Sequence, residues 1–343
     1  MPSPEPLPPR AERLLVRAPN WLGDVVLSLP AVRDLRRNFP ASRLDVLARP
    51  GVAELYRAVA EVDGVRESRG PAADAAAVRG AFDAAVLLPN SLASALAVWR
   101  AGIPERWGYG TDGRGPLLTR RARVLAAVRG RSEVYYYRAM LAGIGLRVCA
   151  APDASLACPE EWSARGRALL GDDGPWLGLN PGASFGTAKR WMPERFAAAA
   201  DLVGRRAGLR VVMVGGPAER PLADWIAAGM QTKPRVLSGE TSLAELVGVL
   251  SRLRLLITND SGPMHVTAAL GIPVLAVFGS TDWRETAPFA SGPRAAPHRL
   301  VREAVHCSPC KLRECPIDHR CMLRVGVDRV VADAEDMLAR GAA

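Results

Sequence analysis

The residues able to do chemistry sit in short loops that follow apolar runs. Ala18 to Asp24 reads A-P-N-W-L-G-D. Gly23 permits a tight turn there, and Asp24 stands at the mouth of a helix. A carboxylate at that point is either an N-cap, satisfying a free backbone amide, or a general base on a strand's carboxyl end. Asn180 to Trp191 reads N-P-G-A-S-F-G-T-A-K-R-W. Gly182, Ala183, Ser184 and Gly186 are small enough to let a ligand approach the backbone. Thr187 offers a hydroxyl and Lys189 a point charge. The Walker A spacing is absent. Only three of the 45 basic residues are lysine, so a lysine where arginine is the default suggests an ammonium placed for a phosphate. The plainer alternative is a glycine-rich surface loop with an ordinary lysine.

Thr258 to His265 reads T-N-D-S-G-P-M-H, with a helix expected from Gly262. Free amides at a helix start bind phosphate, and the helix dipole assists. Asp260, Ser261 and Gly262 fit such a start; a simple cap at Asp260 or Ser261, with His265 as a packing residue, fits it as well. Val214 to Glu219 reads V-G-G-P-A-E. Glu219 could hold ribose hydroxyls at a strand end or merely favour a helix's first turn. From His306 to Cys321 the chain reads H-C-S-P-C-K-L-R-E-C-P-I-D-H-R-C. Cys307, Cys310, Cys315 and Cys321 invite a metal, but the compact spacing is not that of an ordinary zinc finger, and buried thiols are the favoured expectation. Gly108, Gly110 and Gly113 match G-x-G-x-x-G, yet Arg114-Gly115-Pro116 follows, where no helix can start promptly. This is expected to be a turn rather than a dinucleotide fingerprint. No Asp-x-Asp occurs in the chain, so neither a metal nor a cofactor is expected at the site.

The elements that must position these loops alternate. Strands are expected at Leu14–Arg17, Leu44–Ala48 and Ala84–Leu88, and helices at Asp24–Asn38, Ser91–Ala101 and Glu133–Ile144, the first kinked at Pro30. After a pause at Cys149–Pro159 the alternation resumes. Strands are expected at Trp176–Leu179, Arg210–Val214, Leu255–Thr258 and Val274–Phe278. Helices are expected at Pro193–Ala207, Ala218–Gly229, Leu243–Ser251 and Gly262–Leu270, with a closing helix at Val327–Ala339. Such alternation implies doubly wound parallel sheets. The 343 residues suit two domains of about 150 each, placed at 1–155 and 156–326, with 327–343 as the closing segment. Two such domains facing each other across a cleft favour a nucleotide-using enzyme.

Composition narrows the partners. Hydrophobic residues are 49% and charged residues 23% of the chain, ordinary for a soluble globular protein. The net charge of +10 suggests anionic partners, but basic pairs such as Arg36-Arg37 and Arg120-Arg121 are scattered and no basic block is present, so nucleic acid is not expected. Met1–Glu12 is proline-rich without an apolar core and is not a signal peptide. A cytoplasmic protein without structural disulfides is expected.

Taken together, P-N-W-L-G-D at Pro19–Asp24, P-G-A-S-F-G-T-A-K-R-W at Pro181–Trp191, N-D-S-G-P-M-H at Asn259–His265 and the cysteine-rich tail resemble the lipopolysaccharide heptosyltransferases, glycosyltransferase family 9, and within them the heptosyltransferase II subfamily. The resemblance runs from Arg17 to Cys321. It implies an α/β GT-B fold of two Rossmann-like domains, the acceptor in the first and the donor in the second. It implies inverting transfer of L-glycero-D-manno-heptose from ADP-heptose to a heptosyl-Kdo2-lipid A acceptor. By matching motifs Asp24 is the general base. Lys189 meets the donor pyrophosphate, with Ser184 and Thr187 on the same loop. Ser261 and Gly262 bind phosphate with Asp260 and His265 nearby, and Glu219 holds the ribose. Phe185, Thr187 and Met192 depart from the family's commonest loop. The acceptor suggests peripheral contact with the anionic inner membrane at its cytoplasmic face. A sister heptosyltransferase, another GT-B transferase, a nucleotide-binding dehydrogenase or epimerase, and a metal-binding interaction protein are the competing expectations.

Overall fold

The computed structural model describes residues 11–171, 174–289, 291–292 and 295–340; most of the proline-rich N-terminal segment, residues 1–10, lies outside them. The chain divides after Ala154 into two units.

Each unit is built on a six-stranded, wholly parallel sheet. In the first, β1 (Arg13–Arg17), β2 (Arg43–Ala48), β3 (Gly64–Glu67), β4 (Ala84–Leu87), β5 (Glu105–Tyr109) and β6 (Arg120–Ala122) are ordered β3-β2-β1-β4-β5-β6. In the second are β7 (Trp176–Asn180), β8 (Arg210–Met213), β9 (Arg235–Val236), β10 (Leu253–Asn259), β11 (Val274–Phe278) and β12 (His298–Arg302). Their order, β12-β11-β10-β7-β8-β9, is the same topology read from the opposite edge. In both units the order reverses beside the first strand: between β1 and β4, and between β7 and β10. At such a switch point the connections leave in opposite directions and open a crevice at the strands' carboxyl ends.

Sheets covered by helices on both faces require strands apolar on both faces. The central strands comply: Leu14, Leu15 and Val16 of β1, all of β4 and all of β7 are buried. The strands not anticipated from sequence (β3, β5, β6, β9 and β12) are short or carry charge. β6 reads R-R-A and β9 only R-V, so no apolar run marks them. Helix starts follow local chemistry. Ser91 accepts from the Ser94 amide at 3.3 Å. Ser242 and Glu245 form a reciprocal capping box. Helices Glu160–Leu170 and Leu243–Leu250 approach so closely that a Cβ on Gly166 would collide with Gly248, and one on Gly248 with the Trp162 carbonyl. The closing helix Val327–Arg340 belongs to the second unit; Val330, Val331, Ala334 and Met337 join its core with Phe196, Leu255 and Ile257.

Candidate active site

In the first unit the helix that follows the loop after β1 carries Asp24 in its first turn. The helix spans Leu22–Asn38 with Trp21 at the N-cap position. Asp24 is therefore the third helical residue, not the cap that its sequence position also allowed, and the helix starts two residues earlier than expected. The positive end of the helix favours a carboxylate there. Asp24 is half-buried and lines a pocket of about 430 Å³ shared with Asn20, Trp21, Asn90, Glu133 and Tyr136. Asn90 comes from the loop after β4, so the pocket lies at the switch point of this sheet. Its wall is set by the Asn90 side-chain amide donating to the Tyr136 hydroxyl at 2.7 Å. Tyr137, also in the lining, has its phenol held well above the ordinary value, first by burial and then by the charge of Asp24.

A second pocket of about 480 Å³ adjoins it through Asn20 and is lined by Arg17, Arg49, Arg69, Ser68 and Asp74. Arg17 is buried. Its guanidinium donates to the Ala18 carbonyl at 2.7 Å, to Asn20 Oδ1 at 3.3 Å and to Ser68 Oγ at 3.4 Å. Burial lowers its pKa and the Asp74 charge opposes that. These residues were not singled out from sequence. In an arginine-rich chain no single arginine stands out, and their grouping arises only when β1, β2 and β3 lie side by side. Arg114, in the rejected glycine motif, is fully buried; it donates from Nε to the Tyr109 carbonyl at 2.8 Å and from Nη1 to that of Pro89. Gly108 lies in β5 and Gly113 turns the chain at φ 72°. A single 3-10 turn at Gly115–Leu117 does begin there, against the expectation, though it is too short for a dinucleotide fingerprint. The arginine supports the loop that carries Asn90.

In the second unit the loops after β7 and β10 meet. Lys189 Nζ lies 2.8 Å from Asp260 Oδ2. Thr286 Oγ1 donates to the same oxygen at 3.2 Å. Ser261 sits at the N-cap position of helix Gly262–Ala269, but its side chain makes no cap. Its hydroxyl instead donates to Asn180 Oδ1 at 2.5 Å. Pro263 lacks an amide hydrogen, so the first-turn donors are the amides of Ser261, Gly262 and Met264. Asn180 Nδ2 donates to the Val214 carbonyl at 2.9 Å and Asn259 Nδ2 to the Pro181 carbonyl at 2.7 Å. These two asparagines, read in the sequence only as motif letters, cross-link the loops after β7, β8 and β10.

The remaining sequence candidates fall around that centre. Ser184 and Thr187 are exposed on the Lys189 loop. Glu219 is buried, accepts from the Gly216 amide at 2.8 Å, and faces Gly182 so closely that a Cβ there would collide with its carboxylate. Burial raises its pKa. His265 is buried behind Asp260, its Nε2 4.0 Å from Oδ1. Burial lowers its pKa to about 4, so the ring is neutral near pH 7 and is no phosphate-binding cation. In the second unit Lys189, Asp260, Ser261, Gly262 and Glu219 surround the β7/β10 switch point. Among the described residues no three His, Cys, Asp or Glu side chains converge to hold a metal ion.

Two Rossmann-type sheets of one strand order, a carboxylate pocket at one switch point and a cation with helix amides at the other, describe a GT-B glycosyltransferase. The chain belongs to glycosyltransferase family 9 (heptosyltransferase), whose model matches residues 75–320. It is 30% identical to lipopolysaccharide heptosyltransferase 2 of Escherichia coli K12 over 81% of this chain and 86% of that one. It is 27% identical to lipooligosaccharide heptosyltransferase 2 of Haemophilus ducreyi over 95% and 99%. The solved structure of E. coli ADP-heptose LPS heptosyltransferase II superposes with a TM-score of 0.82 at 27% identity, covering 96% of this chain and 100% of that one.

Proposed function

We propose that this chain transfers L-glycero-D-manno-heptose from ADP-heptose to heptosyl-Kdo2-lipid A, with inversion at the anomeric carbon. The observation that carries this is the division of labour between two equivalent switch points: Asp24 among sugar-sized aromatic and amide groups in one unit, Lys189 with helix amides in the other.

The first unit takes the acceptor. Trp21 and Tyr136 offer ring faces to a sugar, and Asn20 and Asn90 offer hydrogen bonds. The neighbouring Arg17–Arg49–Arg69 pocket suits the carboxylates or phosphates of an anionic core. Asp24 accepts the proton of an acceptor hydroxyl as its oxygen bonds to the anomeric carbon. The bond from that carbon to ADP breaks on the opposite face. The second unit takes the donor. The developing charge on ADP meets Lys189 and the amides of Ser261, Gly262 and Met264, donors fixed before the reaction begins. Asp260 keeps Lys189 at that place, Ser184 and Thr187 face the phosphates, and Glu219 takes the ribose. Peripheral contact with anionic lipid at the cytoplasmic face of the inner membrane fits the net charge of +10.

The test is a transfer assay with ADP-heptose and three acceptors: Kdo2-lipid A, heptosyl-Kdo2-lipid A and a diheptosyl core. Transfer to the heptosyl acceptor is expected. Preference for either of the others assigns a sister activity, and no transfer to any of them overturns the proposal.

A further inference from the structure

The cysteine-rich segment has no part in the mechanism above, yet it lies across the donor site. We propose that residues 306–325 form a strap that fixes the position of Lys189, with Arg313 and His319 as its positioning residues. This rests on the reading of the Lys189 loop as the donor site.

The topology supplies the first argument. In the second sheet β11 and β7 flank β10. The strap's first part is tied to the loop after β11: Ser308 Oγ donates to the Gly279 carbonyl at 2.6 Å and the Lys311 amide to the Ser280 carbonyl at 2.7 Å. Its later part is tied to the loop after β7. The Ala188 amide donates to the Arg313 carbonyl at 2.9 Å, and Arg313 Nε donates to the Phe185 carbonyl at 2.8 Å. His319 Nε2 lies 3.0 Å from the Ala188 carbonyl; a carbonyl only accepts, so that nitrogen carries the proton. One segment thus joins the two loops on either side of the β10 end, where Asp260 and Ser261 stand.

The contacts converge on Lys189. Its immediate predecessor, Ala188, is held at both backbone groups by the strap. The Phe185 ring has Lys189 Nζ 5.0 Å and the Arg313 guanidinium 5.4 Å from its centre. Gly186 is required because a Cβ there would collide with the Arg313 carbonyl. From the other side Lys311 Nζ pairs with Glu285 at 2.5 Å, beside Thr286, which donates to Asp260.

The strap is itself anchored. Of the four cysteines expected as buried thiols, only Cys321 is buried, beside Met322 in the second core; Cys307 and Cys315 are half-buried and Cys310 is exposed. The Val325 carbonyl accepts from Trp191 Nε1 at 3.0 Å and from Arg195 Nη1 at 2.6 Å. Lys311 and His319 turn the chain in the left-handed region, at φ 57° and 58°. The His319 amide donates to Cys315 Sγ at 3.3 Å, which fixes the backbone that aims the ring. A lysine on a mobile loop must lose rotamer and backbone freedom when the pyrophosphate arrives; a loop ordered beforehand does not. The strap therefore acts on donor binding through Lys189.

The experiment uses the full-length protein, with titration calorimetry of ADP and steady-state kinetics in both substrates. Arg313→Ala is an exposed change that keeps the backbone bond to Ala188. His319→Asn keeps a residue that tolerates the left-handed region but is too short to reach Ala188. Each is expected to raise the ADP Kd and the donor KM about tenfold while leaving the acceptor KM and Tm unchanged. In a Lys189→Met background the same changes are expected to add less than about twofold, because coupled residues are not additive. Unaltered ADP affinity in Arg313→Ala and His319→Asn, or full additivity with Lys189→Met, overturns the strap. Unaltered ADP affinity in Lys189→Met alone overturns instead the assignment of the donor site.

Discussion

At the scale of single residues, the consequential groups are those whose charge the surroundings control. Asp24 is placed by a helix N-terminus rather than by a cap of its own making. Asp24→Ala is expected to lower kcat by about 10²-fold or more, the range for a positioned base, with the donor KM little changed; near-normal turnover in single-turnover assays removes it from the mechanism. Lys189 answers Asp260 at 2.8 Å, so its removal takes the ammonium away from a buried carboxylate. Lys189→Ala is expected to raise the donor KM by about 10- to 100-fold, as for loss of a charged hydrogen bond. An unchanged dependence on ADP-heptose contradicts that role. Burial lowers the pKa of His265 and His298 from 6.5 to about 4. Between those values the unfolded chain binds more protons than the folded one, so stability falls as pH drops from about 6.5 towards 4 and is insensitive to these groups above it. Thermal melts from pH 7.5 to 4 should show that decline, and His298→Leu should flatten it.

At the scale of elements, close approaches fix the second unit as firmly as its apolar core. The helices Glu160–Leu170 and Leu243–Leu250 touch backbone to backbone at Gly166 and Gly248. Gly248→Ala is expected to cost about 3 kcal/mol through overpacking, lowering the melting temperature of this unit by roughly 10 °C. Gly51, in a helix of the first unit, where an added Cβ would meet nothing within 4 Å, is the contrast: Gly51→Ala should not lower the melt, since alanine is the better helix residue. The loops that bear the site obey a related rule. Asn180 and Asn259 spend their amides on carbonyls of neighbouring loops, so the strand ends act as one rigid rim.

At the scale of the whole molecule, net charge sets the long-range field. The net charge of +10, with three arginines around one pocket of the first unit, should draw the protein to anionic surfaces. Co-sedimentation with vesicles containing phosphatidylglycerol is expected to weaken steeply between about 0.05 and 0.5 M salt, where screening shortens the reach of each charge. Binding that ignores salt, or that is equal on neutral vesicles, counts against peripheral docking. No helix among the described residues is long and apolar enough to cross a membrane.

The sequence by itself determined the alternation of strands and helices, the buried central strands and the loops that carry Asp24, Lys189 and Asp260. Those features rest on local apolar runs and on loop residues adjacent in the chain. It left β3, β5, β6, β9 and β12 unseen, because charged or very short strands, four of them at the sheet edges, lack an apolar run and are recognised only by the neighbours they pair with. The Arg17–Arg49–Arg69 pocket, the Lys189–Asp260 pair and the ties of residues 306–325 to the loops after β7 and β11 were decided by tertiary structure alone. Each joins residues far apart in the chain, and no local pattern records which strand lies beside which.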